Sequence, residues 1–175
     1  MKKGWEIKKL GEVADFDRGL TYAKKDEVDY STNVVLRANN INLITNSLDL
    51  NDLKYINENV KIPENKKVLK GSLIICTASG SKSHLGKVAP INGDCDYAFG
   101  GFMGQIRPNK SIHSRFLFYS LISESYKDFI GKLSDGVNIN NLKWDNLKDF
   151  TLPLPLLPEQ LRIVAILDGA FAAIV

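Results

Sequence analysis

Two cysteines and two histidines are all that this 175-residue sequence offers for disulfide or soft-metal chemistry. Cys76 sits in an apolar run and Cys95 lies between two acids, a pattern that does not read as a disulfide framework. With only His84 and His113 beside them, no spacing resembles a structural zinc site. No apolar run approaches the roughly 20 residues of a membrane span. The opening Met1-Lys2-Lys3-Gly4-Trp5-Glu6 has no apolar stretch behind its lysines, which argues against a secretory signal. These absences describe a reduced, cytoplasmic protein with no metal, no cofactor and no membrane partner.

Catalytic constellations are missing as well. The stretch 80–87 (GSKSHLGK) looks like a phosphate-binding loop, but one residue too many separates Gly80 from Gly86, and Val88 stands where Ser or Thr is needed. Glu64-Asn65-Lys66 could serve a nuclease, yet no Pro-Asp dipeptide supplies the metal-binding half. An adenine methyltransferase needs an Asn/Asp-Pro-Pro-aromatic motif, and the chain has none. A Cys76–His84 dyad is conceivable, although a cysteine in an apolar strand is ordinarily inert. The expectation is a protein without catalytic activity of its own.

What is present fits a folded domain: 44% apolar and 25% charged residues argue against disorder. A net charge of +3 permits nucleic-acid binding without demanding it, since clustering matters more than the total. The first hundred residues read as strands and loops. Segments 32–37 (TNVVLR) and 73–77 (LIICT) are the clearest strands, 86–91 and 102–107 are weaker ones, and 10–14 suggests one helical turn. Asn, Gly, Asp and Ser clusters separate them. The pattern then changes. Apolar residues recur at helical spacing over 114–133, Ser134-Asp135-Gly136 breaks it, and 142–147 reads as a short helix with Asn140 or Asn141 as N-cap. The mixture predicts an α+β fold, not alternating βαβ units.

The most informative stretch is 152–168, LPLPLLPEQLRIVAILD. Pro153 and Pro155 force extended backbone before them. Pro158 and Glu159 then suit the first turn of a helix. In that helix Leu161, Val164, Leu167, Phe171 and Ile174 form one apolar stripe, and Ile163, Ile166, Ala170 and Ala173 a second. So wide a stripe suits packing on the domain, on a partner helix, or on both. The chain stops at Val175 without a helix stop signal and reads as cut inside a longer helix.

This run resembles the junction between recognition domain and spacer helix in the specificity subunits of type I restriction-modification systems, where a "PLP…EQ.RIV..LD" segment closes each domain. The matching positions are Pro153, Leu154, Pro155, Glu159, Gln160, Arg162, Ile163, Val164, Leu167 and Asp168. In the same order, 5–13 (WEIKKLGEV) resembles the domain opening, and Gly19-Leu20-Thr21 its G-x-T loop. Gly71-Ser72-Leu73-Ile74 resembles a "GD" segment with serine in place of the acid. Residues 81–88 resemble a turn ending in "GKV", and 136–141 (GVNINN) the segment before the last short helix. The resemblance implies a target-recognition domain of mixed β-sheet and short helices over 1–155, followed at 156–175 by the first turns of a long spacer helix. It implies a half subunit that reads one half of a split double-stranded DNA site and directs methyltransferase (M) and restriction (R) subunits; a natural half, a disrupted gene product and a trimmed piece of a longer subunit all fit the sequence. It implies partner-helix contacts through Leu161, Val164, Leu167, Phe171 and Ile174, with a homodimer through that helix as a further possibility. The competing reading is a protein-interaction module with no DNA specificity.

Such a domain needs cations for phosphates and bidentate side chains for base edges. Candidates fall in four loops: Thr21, Lys24 and Lys25; Arg37, Asn39, Asn40 and Asn42; Ser79, Ser81, Lys82, Ser83, His84 and Lys87; and Asn138, Asn140 and Asn141. Each has an ordinary alternative. Asparagine clusters build turns, lysine pairs are solvated faces, and Trp5 and Trp144 suit a core better than a base-stacking platform.

Overall fold

The structure, a computed structural model, describes residues 4–81, 83–134 and 141–173. In chain order the elements are β1 (Glu6–Lys9), α1 (Leu10–Val13), β2 (Ala14–Arg18), β3 (Glu27–Val28), β4 (Asn33–Leu36), β5 (Lys54–Ile56), β6 (Leu73–Cys76), β7 (Val88–Pro90), β8 (Ala98–Phe99), β9 (Met103–Pro108), α2 (Ser114–Ser120), α3 (Glu124–Ser134), α4 (Trp144–Lys148), β10 (Thr151–Leu154) and α5 (Leu157–Ala172). The fold is α+β, as expected from the change of pattern after residue 108.

Period-two alternation in β6 organises the core. Its four residues are all buried, but they point to opposite sides of an antiparallel sheet ordered β2-β9-β6-β7. Leu73 and Ile75 join a large cluster with residues of α1, α2, α3, α4, β10 and α5. Ile74 and Cys76 join a second cluster with Leu36 of β4 and Phe99 of β8. Those two strands belong to the other four-stranded sheet, ordered β3-β5-β4-β8, in which β4 and β8 run parallel. Helices therefore cover one face of the central sheet and the second sheet covers the other, which explains why LIIC is apolar throughout.

Burial on both faces leaves Gln105 of β9 fully enclosed, and its amide is satisfied. Its Oε1 accepts from the Leu69 amide at 2.7 Å and from the Ser72 hydroxyl at 2.8 Å, and its Nε2 donates to the Lys67 carbonyl at 3.3 Å. Two glycines are set by close approach. A side chain at Gly104 would run into the Trp144 ring, and one at Gly19 into the Gly100 backbone. Trp144 also lies 5.3 Å from the Phe16 ring, so it packs against the core.

The helical pattern over 114–133 is interrupted. α2 ends at Ser120 and α3 starts at Glu124. At the break the Ser123 hydroxyl donates to the Ser120 carbonyl at 2.7 Å and accepts from the Tyr126 amide at 3.3 Å. Serine bonding to nearby backbone is what ends one helix and caps the next. α4 is capped by the Lys143 backbone, not by asparagine: Asn141 instead bridges Ala78, and Asn140 lies outside the described residues.

β1 pairs antiparallel with β10, Glu6 facing Leu154 and Lys9 facing Thr151. In β10, Leu152 and Leu154 face the core while Thr151 and Pro153 face outward. Pro153 is tolerated because β10 has one neighbouring strand and needs no second ladder. α5 then lies against α2. The fully buried Gln160 locks the joint: its Oε1 accepts from the His113 amide at 2.7 Å, and its Nε2 donates to the carbonyls of Ser111 at 2.9 Å and Pro155 at 2.8 Å. One and two turns on, Val164 is buried in the main cluster, and Asp168 accepts from Arg115 Nε at 2.8 Å and from the Tyr119 hydroxyl. That Tyr119 hydrogen bond, followed by the Arg115 guanidinium, outweighs burial and holds the Asp168 carboxyl below its ordinary range.

The expected partner stripe is therefore divided. Val164 and the half-buried Leu167 pack on the domain itself, and Phe171 stacks on Tyr119 at 5.5 Å between centroids while staying 47% exposed. Leu161, with Leu157 and Ile166, faces away from the domain. Ile174 lies outside the described residues. Apolar spacing in α5 predicts the helix but not which residues of its two apolar stripes meet the domain, where Val164, Ile163 and Leu167 pack. Among the described residues no helix is long and apolar enough to cross a membrane.

Candidate nucleic-acid interface

Three of the four predicted loops converge on one cleft of about 790 Å³. Its lining includes Thr21 and Lys24 from the loop after β2, Arg37 and Asn39 from the turn after β4, and Ser79, Ser81 and His84 from the loop after β6. These residues are far apart in sequence, and the sheet crossings bring them together. The Gly19-Leu20-Thr21 segment is held by Gly19 donating to the Met103 carbonyl at 3.1 Å and Leu20 donating to the Phe99 carbonyl at 2.7 Å. Because Gly19 has no side chain, the strand crosses directly over Gly100 and delivers Thr21 to the cleft edge.

Arg37 leaves the end of β4 with its backbone fixed by Asn40, whose buried Oδ1 accepts the Arg37 amide at 2.8 Å. The Asn40 Nδ2 donates to the carbonyls of Asp49 at 2.8 Å and Asp52 at 3.0 Å. This amide thereby ties the turn at 38–40 to the loop at 49–52. Asp52, itself exposed, accepts from Arg37 Nη2 at 3.0 Å and from the Asn39 side chain. One carboxylate thus occupies both a potential guanine reader and a potential adenine reader. Arg37 Nε is buried and has no hydrogen-bond partner. Lys54 and Glu27 pair at 2.9 Å nearby, and Glu27 reaches the cleft lining.

Other predicted residues have different places. Asn40 is a buried structural amide and is not available to a ligand. Asn42 builds its own turn, its Oδ1 accepting from the amides of Ile44 at 2.9 Å and Thr45 at 3.0 Å, the alternative role that asparagine chemistry allows. Lys25 is exposed on the turn Lys24–Asp26 outside the cleft lining. Ser83 and Lys87 line a separate cavity of about 230 Å³ against Tyr126 and Ile130 of α3. Asn141 is exposed beside the cleft, since its backbone bridges Ala78. Lys82, Asn138 and Asn140 lie outside the described residues.

The cysteine dyad has no support. Burial pushes the Cys76 thiol up to about 11, and its Sγ contacts the Ala78 carbonyl at 3.4 Å. A thiol so disfavoured as thiolate is a poor nucleophile.

Two aromatic residues of the cleft were not singled out from sequence. Tyr22 is half-buried in its wall, and Phe102 stands on its rim at 73% exposure. The sequence reads Phe102 as the first residue of a strand over 102–107, whereas β9 begins at Met103 and Phe102 belongs to the turn after Gly100-Gly101.

Residues 2–174 match the family described as Type I restriction modification DNA specificity domain. Over 177 residues the chain is 34% identical to the type I restriction enzyme EcoKI specificity subunit of Escherichia coli (strain K12), covering 99% of this chain and 38% of that protein. It is 32% identical to the StySPI specificity subunit of Salmonella potsdam, again over 99% of this chain and 38% of the relative. Among solved structures, a chain from a type I R-M system superposes with a TM-score of 0.73 at 22% identity, over 99% of this chain and 40% of that one. An HsdS subunit from Thermoanaerobacter tengcongensis gives 0.67 at 22% identity, over 97% and 37%. The chain thus spans well under half the length of these relatives, and the structural likeness speaks to the fold. By the extent of the family match and the identity to its relatives, the chain belongs to the type I restriction modification DNA specificity domain family.

Proposed function

We propose that this chain is a sequence-reading module for double-stranded DNA, supplying half of a split recognition site to a type I restriction-modification complex. The observation that carries the reading is the convergence of Thr21, Lys24, Arg37, Asn39, Ser79, Ser81 and His84 on one cleft. Cations there meet phosphates, while the Arg37 fork and the Asn39 amide have the geometry for guanine and adenine edges. Asp52 holds both in register until a base displaces it. Lys25, Lys82, Asn138, Asn140 and Asn141 would extend the contact to flanking phosphates and bases. On this reading the chain has no catalytic residue, and methyl transfer and cleavage belong to M and R subunits acting in the cytoplasm.

Residues 1–155 form the reading domain and 156–175 open a spacer helix. Its outward residues Leu157, Leu161 and Ile166 are the ones available to a partner helix, whether from another subunit or a second copy of the chain. Gln160, Val164 and Asp168 fix the angle at which that helix leaves the domain.

Selection from a random duplex pool at low salt, with and without a methyltransferase subunit, tests this. Enrichment of a short half-site in either arm is the expected result. A folded chain that enriches nothing in both arms overturns the reading.

A further inference from the structure

Phe102 is the large apolar residue of the cleft that the fold itself leaves unused. Its ring is 73% exposed, joins none of the three hydrophobic clusters, and stacks on no other aromatic among the described residues. Its backbone is the opposite of free. The Phe102 carbonyl accepts from the Thr77 amide at 2.9 Å, the Thr77 hydroxyl at 3.0 Å and the Ala78 amide at 3.1 Å. The preceding Gly100-Gly101 brings this turn against the loop that carries Thr21: a Cβ on Gly101 would lie 3.4 Å from Thr21 Oγ1. A ring with two rotatable bonds is thus mounted on a rigid turn, in a cleft also lined by Lys24, Arg37 and Asn39.

We propose that Phe102 is a wedge that presses against, or enters, the base stack of the bound duplex and contributes to site selection by unstacking one step. The inference rests on the DNA-reading function proposed above. Three features favour it. Apolar side chains used to open base steps in DNA are of this type, and they work when the protein holds the duplex on both sides of the step. Lys24, and Arg37 and Asn39 once a base or phosphate displaces Asp52, can provide such a hold, and the two cations suit a polyanion, whereas an apolar protein partner gains nothing from them. A fixed backbone also means that little order is lost when the ring is buried on binding. Selection follows because pyrimidine–purine steps open more readily than others, so a wedge reads deformability at a position no hydrogen bond need touch.

The test uses the duplex selected by the full chain, together with the methyltransferase subunit if the selection required it. 2-Aminopurine is placed at successive positions of the half-site. Wild-type protein should raise its fluorescence several-fold at one step. Phe102→Ala should abolish that rise and weaken binding about tenfold or more, the range seen for lost base–aromatic contacts. Phe102→Leu should restore part of both, and thermal melting of the free variants should match wild type. Unchanged affinity and signal in Phe102→Ala, with Arg37→Ala still weakening binding, overturns the wedge and leaves DNA reading intact. A Phe102→Ala that melts early, or that loses subunit assembly while DNA binding per complex is unchanged, assigns the ring to the fold or to a protein contact and also overturns it. Failure of wild type to bind any duplex in either arm overturns both the wedge and the reading beneath it.

Discussion

The α2–α5 junction and the loop cleft hold the same kinds of side chains and use them in opposite ways. At the junction an amide, a carboxylate and a guanidinium are paired with one another or with backbone: Gln160 makes three hydrogen bonds while fully buried, and Asp168 collects both Arg115 and Tyr119. At the cleft, Arg37 and Asn39 share one exposed aspartate and a phenylalanine is left largely exposed, while each region holds one buried nitrogen without a partner, Arg37 Nε at the cleft and His113 Nδ1 at the junction. Most polar groups that complete a fold are satisfied within it, as Gln160 and Asp168 are. Groups kept for a ligand are held in place from behind, here by Asn40, and left incomplete in front. What separates the buried Asn40 from Asn39 at the cleft is therefore the direction of its bonds, not its residue type.

Substitutions can break that contrast, and the largest effects belong at the junction. Val164→Asp puts a charge into the main cluster and should destabilise the domain by about 4 kcal/mol or more. Leu161→Asp, on the opposite face, should change stability by less than about 0.5 kcal/mol and alter only assembly. Chemical denaturation of the two variants settles whether α5 is divided as described. Gln160→Ala leaves the His113 amide and two carbonyls without partners and should cost about 3 kcal/mol in the same assay.

Next in size are the cleft variants, read by DNA affinity. Arg37→Ala should weaken binding by about 1–3 kcal/mol and relax preference at one position, with little change in stability. Asp52→Ala should move affinity the other way, by freeing Arg37 and Asn39. Equal weakening by both substitutions would show that the Arg37–Asp52 ion pair shapes the cleft and is not a group held for a ligand.

The smallest effect is a pH dependence. The Asp168 carboxyl lies below its ordinary value of 3.8 in the folded chain. Its contribution is therefore fully present above that value and is lost as pH falls through the lowered one. The pair is partly exposed, so the contribution should not exceed about 1 kcal/mol. Asp168→Asn should then be less stable than wild type near about pH 7, and the gap should begin to narrow only as pH falls below the ordinary value of 3.8.

Much of this was legible in the residues. LIICT announced a strand, Pro153 and Pro155 an extended exit, and Pro158-Glu159 a helix start, because each rests on local backbone chemistry, while burial of the strand on both faces came only from its neighbours. The short strands β3, β5 and β8 were not legible: two or three residues carry no periodicity, and only their partners make them strands. The cleft was legible as a set of loops but not as a surface. Sequence placed Arg37, Asn39, Asn40 and Asn42 together as equals. The fold sends Asn40 inward, spends Asn42 on its own turn and leaves Arg37 and Asn39 at the cleft. Phe102 was not legible as a cleft residue because the sequence reads it as the start of a strand over 102–107, where an aromatic ordinarily belongs to a core, and β9 starts one residue later.

The ladder between β1 and β10 has a consequence beyond closing the domain. It sets Glu6 opposite Leu154, so the path into the domain and the path out of it lie side by side. A unit whose entrance and exit are neighbours behaves as a cassette: it can be lifted out and another of different loop chemistry set in without displacing the helix that follows. New specificity then requires a new insert between two fixed strands, while the geometry of whatever the helix is joined to is inherited unchanged.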